Sequence, residues 1–205
     1  MDRERPKRVY TMLARAEGVS RTRQEIVRCA VVRLRGSAEP VTLAGIAAAA
    51  GVSRSTVYRN FRSITGLLDA VAADLLSRAE FDRLLAAVSL PDPAAALAEV
   101  TRLGCGIWAI DPDLVRNLFA LARAQADVLP VIDQLEAGRA QVIERLVRSL
   151  DDAGALAPGL SQRDAADLLV AATSFAAWDQ IVTARRRPPE VATRLITRLA
   201  IQAVT

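Results

Sequence analysis

Apolar residues recur along this chain at intervals of three and four, and almost nowhere at two. Over 22–35 the stripe is Ile26, Cys29/Ala30, Val31 and Leu34, the spacing of one helix face. Thr22, with Glu25 three residues on, reads as a capping box that starts this helix, and "GSAEP" (36–40) ends it. Two short helical segments follow, "LAGIAAAA" behind Thr42 and "RSTVYRNF" behind Ser53. Ser63 caps a longer one, "ITGLLDAVAADLLSRAEFDRLLAAV". Beyond "SLPDP" (89–93) the pattern predicts helices to about 110, over 112–124, 127–152, 162–184 and 189–204, broken by "GALAPGLS" (154–161) and "RRRPP". The expectation is an all-α protein of about nine helices, with no strand pattern and no internal repeat.

Gly51-Val52-Ser53 joins the two short helices. A helix-turn-helix needs a turn of this kind: Gly51 permits the positive φ that stops one helix, and Ser53 caps the next with its free N–H groups facing outward. Val57 and Phe61, four apart, form the inner face of the second short helix. Arg54, Ser55, Thr56, Tyr58, Arg59 and Asn60 are left on or near its outer face. "GVSRSTVYRNF" (51–61) holds two arginines, four hydroxyls and no carboxylate, and Glu39 is the one acid between Glu25 and Asp69.

Charge sharpens this reading. The net charge of +4 hides an asymmetry: residues 1–62 carry +8 and residues 63–205 carry −4. A basic end on a mildly acidic body is the footprint of a terminal nucleic-acid-binding module. The partner it fits is a polyanion, the major groove of double-stranded DNA, because these side chains donate to phosphates or read base edges. Residues 1 to about 20, rich in arginine and poor in apolar surface, read as a flexible basic arm.

Other chemistries find little support. The chain has no histidine, which removes the usual proton shuttle and the commonest metal ligand. Cys29 and Cys105 are too far apart in sequence to suggest a zinc site or a disulfide framework, and fit a reducing cytoplasm. There is no glycine-rich phosphate loop, so neither catalytic residues nor a cofactor or metal are expected. No run of 18 uncharged apolar residues suggests a membrane span.

"VTLAGIAAAAGVSRSTVYRNFRSITGLL" (41–68) resembles the DNA-binding signature of the TetR (tetracycline-repressor-like) family. The matching marks are Thr42, Ile46-Ala47, Ala50-Gly51-Val52-Ser53, Thr56, Tyr58, Phe61 and Leu67-Leu68. Ile64 stands where that family commonly has a lysine, and Asn60 where it often has a histidine. The resemblance implies a homodimer of two-domain, all-α subunits. Residues 1–63 would form a helix-turn-helix DNA-binding domain. Residues 64–205 would form a ligand-binding and dimerisation domain whose last two helices pair across the dimer.

DNA contacts are then expected from Arg21, Arg23, Thr42, Ser53, Arg54, Ser55, Thr56, Tyr58, Arg59 and Asn60, on an inverted-repeat operator. The two apolar faces of 162–184 and of 189–204 support a dimer on their own, with Val170, Ser174, Ala177, Ile181, Val191, Leu195 and Leu199 as candidate interface residues. The candidate ligand wall is Trp108, Phe119, Phe175 and Trp178, with Thr101, Asn117, Arg123, Gln125 and Gln180 as polar anchors, and the ligand should be lipophilic. Two other readings remain open at this point: a DNA-binding protein without a small-molecule effector, and a helical enzyme whose basic end is incidental.

Overall fold

The computed structural model describes residues 5–36, 40–79 and 81–205, with side chains from residue 20 onward. Among these the chain is helical nearly throughout: α1 (Arg5–Gly36), α2 (Leu43–Ala49), α3 (Arg54–Phe61), α4 (Ile64–Arg78), α5 (Phe81–Ala87), α6 (Pro93–Ile110), α7 (Pro112–Ala124), α8 (Leu129–Asp152), α9 (Gln162–Ala172), α10 (Phe175–Asp179) and α11 (Pro189–Val204). A 3-10 turn, Ala126–Val128, precedes α8, and a π turn, Gln180–Ala184, follows α10.

The caps explain many of these boundaries. Thr42, Ser53, Ser63, Ser161 and Ser174 each accept a hydrogen bond from the backbone N–H three residues on, satisfying a donor the helix itself cannot. Asp92 and Asp111 cap α6 and α7, each followed by a proline in the first turn, where its missing N–H costs nothing.

Three expectations need correction. First, α1 does not start at Thr22; its backbone is helical from Arg5. The only proline in this stretch is Pro6, which lies in the first turn where proline is tolerated, so nothing forces a start at Thr22. Residues 1–4 of the expected arm lie outside the described residues. Second, the segment after Ser63 is two helices, broken at Ala79. No breaker residue marks the place; α5 turns to lay Leu84 and Ala87 into a cluster with Val100 and Leu103 of α6. Third, 162–184 is interrupted at Thr173-Ser174. The Thr173 hydroxyl donates back to the Leu169 carbonyl at 2.7 Å, and Ser174 donates to the Ala171 carbonyl at 2.9 Å while capping α10. Hydroxyl side chains that offer the backbone such alternatives end or bend helices. Eleven α-helices among the described residues therefore stand where about nine were expected.

Three apolar clusters hold the helices. The first joins α1–α4 to α7 and the start of α8, through Ile26, Leu34, Ile46, Val57, Phe61, Leu67, Leu118 and Val131. The second gathers α5, α6, α10 and α11 around Trp178. The third packs α9 on α8 and α11 through Val147, Leu150, Leu169 and Ala200. The basic end thus shares its core with α7 and α8.

Candidate DNA interface and ligand cavity

The turn between α2 and α3 has the geometry its residues ask for. Gly51 sits at φ +64°, in the left-handed region that favours glycine. Ser53 Oγ accepts from the Thr56 N–H at 3.1 Å and lies 2.8 Å from the hydroxyls of Ser55 and Thr56. Gly66 is required for a different reason: a Cβ there would collide with the carbonyl of Phe61, so its absence lets α4 start close against the end of α3.

The predicted DNA-contacting residues separate into two groups. Arg21, Thr42, Ser53, Arg54, Ser55, Tyr58 and Arg59 are exposed on or beside α3. Tyr58 keeps 61 % of its surface open, an unusual display for a large ring. Thr56 and Asn60 are half-buried, and the Asn60 amide donates to the Thr56 carbonyl at 2.8 Å. Arg23 is exposed, yet it is engaged: Nη1 donates to the Asn60 carbonyl at 2.7 Å, and the guanidinium lies 4.4 Å over the Phe61 ring. It ties α1 to the end of α3 by a hydrogen bond and a cation–π contact. Sequence reasoning left out Arg62, an exposed cation at φ +66° directly after α3. The signal was present, since Arg62 continues the same run without acids.

The second feature is a partly open cavity of about 250 Å³ between α4, α5, α6, α7, α8 and the end of α9. Its wall is mostly aliphatic, with Trp108 and Phe119 as predicted. Thr101 and Gly104, one turn apart on α6, share that wall. Phe175 stands behind the lining, stacked on Phe119 at 5.5 Å and edge-on to Trp108 at 5.7 Å. Trp178 is fully buried 6.1 Å further back, its indole N–H without a partner. Arg123 is exposed near the end of α7 and away from the cavity. Of the other polar candidates, Asn117 and Gln125 donate to α1 and to Val41, and Gln180 is exposed.

Arg139 on α8 was missed. It lines the cavity together with Glu136. Its Nη1 donates to the Val170 carbonyl at 3.0 Å and to the Thr173 hydroxyl at 3.1 Å, while Nε and Nη2 donate to Glu136. Nothing in the sequence distinguishes this pair. Glu25–Arg28, Glu99–Arg102 and Asp113–Arg116 show the same spacing on outer surfaces.

Helix α7 joins the cavity wall to α1 and α4. Leu118 and Phe119 line the cavity, while the Asn117 amide donates to the Leu34 carbonyl at 2.6 Å. At its start the buried carboxylate of Asp111 accepts two hydrogen bonds from Arg35, at 2.5 and 2.8 Å, and lies 3.6 Å from Arg78 of α4. Thr65 of α4 donates to the Asp127 carbonyl just beyond α7. Further along, Arg116 bridges α7 to Asp179 and Thr183. The Arg116 and Thr183 hydrogen bonds hold the Asp179 carboxyl below the usual carboxylate range, against the burial that pushes it up. Burial pushes the Cys105 thiol up to about 12, which makes it a poor thiolate.

The predicted interface residues are spread over α9–α11. Val170 is half-buried against the third cluster and Ile181 against the second. Ser174 and Ala177 are joined by the α10 cap. Val191 is half-buried, but Leu195 and Leu199 are 44 % and 52 % exposed. Leu168, from the other stripe of the predicted helix, is 43 % exposed. Among the described residues, no cluster of His, Cys, Asp or Glu could hold a metal, and no helix is long and apolar enough to cross a membrane.

Comparison with known proteins gives these features a context. Residues 35–71 match the family of bacterial regulatory proteins of the tetR type. No curated protein matches the chain in sequence. In fold it is similar to the fatty acid degradation regulator FadR of Bacillus halodurans, with a TM-score of 0.71, 16 % identity, and 88 % of this chain and 94 % of that one covered. It is also similar to FadR of Bacillus subtilis in complex with stearoyl-CoA, with a TM-score of 0.70, 16 % identity and coverage of 89 % and 99 %. A third is a TetR transcription regulator of Haloarcula marismortui, with a TM-score of 0.69, 19 % identity and coverage of 91 % and 100 %. Residues 35–71 thus carry the signature of tetR-type bacterial regulatory proteins, within an all-helical fold similar to that of these regulators.

Proposed function

We propose that this protein is a homodimeric transcriptional repressor, held on an inverted-repeat DNA operator by α3 and released by a small lipophilic ligand. The observation that carries the reading is the pairing of an open, basic, acid-free α3 face with an apolar cavity whose α7 wall is hydrogen-bonded to α1. Residues 1–63 act as the DNA-binding domain and residues 64–205 as the ligand-binding and dimerisation domain, at work in the cytoplasm.

On the DNA side, Arg54, Ser55, Tyr58 and Arg59 enter the major groove, with Arg21 and Arg62 at the flanking phosphates. Thr42 and Ser53 present helix N-termini to the backbone, while Arg23, Thr56 and Asn60 hold α3 in position. Leu168, Leu195 and Leu199 supply the apolar centre of the dimer face. A two-fold dimer must place its two α3 helices about 34 Å apart to reach successive major grooves. On the ligand side, two of the similar folds are fatty acid regulators, one of them holding stearoyl-CoA, which agrees with an aliphatic ligand. A ligand that swells the cavity displaces α7, and the Asn117 and Asp111 contacts carry that displacement to α1 and α4. Only a ligand with different affinities for the two arrangements shifts the equilibrium.

The test is a mobility-shift assay on an inverted repeat selected from random DNA, followed by titration with aliphatic compounds. Binding of one dimer per repeat, undone by a compound that occupies the cavity, is the expected result. No preference for any sequence over random DNA would end the reading.

A further inference from the structure

On its α6 side the cavity wall carries a buried residue whose polar group the fold itself does not use. Thr101 is 5 % exposed and lines the cavity, and its hydroxyl makes no hydrogen bond among the described residues. Its oxygen stays open to the cavity space, where a polar group on an apolar wall gains from a partner, whereas threonine inside a helix can turn its hydroxyl to the carbonyl four residues back, as Thr173 does. One turn on, Gly104 keeps space open: a Cβ built there meets nothing within 4 Å. An unpaired hydroxyl beside a vacant corner, on a mostly apolar wall, is an arrangement for receiving one oxygen atom.

The charge of that oxygen follows from Arg139 and Glu136. The cation lining the cavity is already neutralised by Glu136, and its remaining donors are largely taken by Val170 and Thr173. A carboxylate entering here would meet Glu136 and find no unmatched positive charge, at a large desolvation cost. We infer that the Thr101–Gly104 corner binds the uncharged oxygen of an aliphatic ketone, ester or alcohol, and that the Glu136–Arg139 pair excludes fatty carboxylates. The volume of about 250 Å³ lies just below the usual range of ligand pockets, about 300–1,000 Å³, which favours a chain of medium length. This inference rests on the ligand-responsive reading and names the chemistry of its ligand.

Binding of 2-decanone, decanoate and n-decane to the full-length protein at neutral pH tests it. Intrinsic tryptophan fluorescence reads occupancy, because Trp108 lines the cavity. The ketone should bind at least about tenfold more tightly than decanoate, which must desolvate a charge. Thr101→Val should weaken the ketone by about three- to tenfold, the net value of a neutral hydrogen bond, and leave n-decane unchanged. Thr101→Ser should restore ketone binding, and Glu136→Gln should narrow the gap between ketone and decanoate. The Thr101→Val protein should melt no lower than wild type, since it loses only an unpaired hydroxyl. Unchanged ketone affinity in Thr101→Val, or decanoate binding as tightly as the ketone, overturns the inference and leaves a ligand-binding cavity standing. Failure of all three compounds to bind removes the ligand reading itself, and the inference with it.

Discussion

The outer face of α3 and the inner face of α6 do their work by opposite means. On α3, Arg54, Ser55, Tyr58 and Arg59 are exposed within two turns of helix, and the cap at Ser53 is closed by residues two and three positions away. On α6, Thr101, Gly104 and Trp108 make a wall only where α4, α5, α7 and α8 close around them. The first surface is local and polar and faces solvent. The second is non-local and apolar and faces its own subunit. A site made of neighbours in sequence can be altered without unsettling the fold, whereas a site made by packing is part of the core.

The largest effect should come from the local surface. Arg54→Ala combined with Tyr58→Ala should lower operator affinity by about 100-fold or more, since each lost base contact is worth about 1–3 kcal/mol. Helicity and melting temperature should stay near wild type, because both side chains are exposed. A marked drop in melting temperature would show that α3 is not an independent surface.

The proposed dimer face is a surface of the same exposed kind, though apolar. Leu195→Glu with Leu199→Glu should convert the dimer to monomer in sedimentation equilibrium, because charge replaces two leucines exposed on one row of α11. Operator affinity should fall with it, as half-site binding loses its partner. A variant that remains dimeric would place the contact elsewhere.

Gly66 tests the joint between the two regions. Gly66→Ala should cost about 1–3 kcal/mol of unfolding free energy, the usual range for overpacking, because its Cβ meets the Phe61 carbonyl. Urea denaturation of the two proteins measures it. An equal or higher midpoint for the variant would mean that α4 starts further from α3 than described.

The smallest effect concerns pH. Asp179 has its carboxyl held below its ordinary value of 3.8 by Arg116 and Thr183, against the burial that raises it. A lowered folded value adds stability that is present above 3.8 and is lost as pH falls below it. Asp179→Asn should therefore be somewhat less stable than wild type at neutral pH, and the difference should shrink below pH 3.8. Thermal melts across that range provide the check. A difference independent of pH would mean that the α7–α10 bridge works through shape alone.

These contrasts also explain what was legible in the sequence. Thr42, Gly51, Ser53 and Ser63 announce the helix-turn-helix because caps and a left-handed turn are short-range chemistry. The buried spacing of Val57 and Phe61 fixes which side of α3 faces out. The cavity was legible only in part. Trp108 and Phe119 line it, but Phe175 and Trp178 are one layer behind, since an aromatic residue at helical spacing looks the same whether it bounds a void or fills one. Arg139 was invisible because its pairing with Glu136 repeats a spacing found on three outer surfaces. The break at Thr173-Ser174 was not legible, since only the back-bonding of those hydroxyls reveals it.

The central claim is that the cavity controls the grip on DNA. It is tested by measuring operator affinity of wild type and of Gly104→Leu, with and without saturating 2-decanone. The leucine enters open space on the α6 wall and replaces a poor helix former with a good one, so the variant should fold and bind operator like wild type. The ketone should weaken wild-type operator binding by about 5- to 150-fold, the usual span of allosteric coupling, and leave the filled variant unchanged. Operator affinity that ignores a ketone shown to bind wild type, or that falls equally in both proteins, would contradict the account.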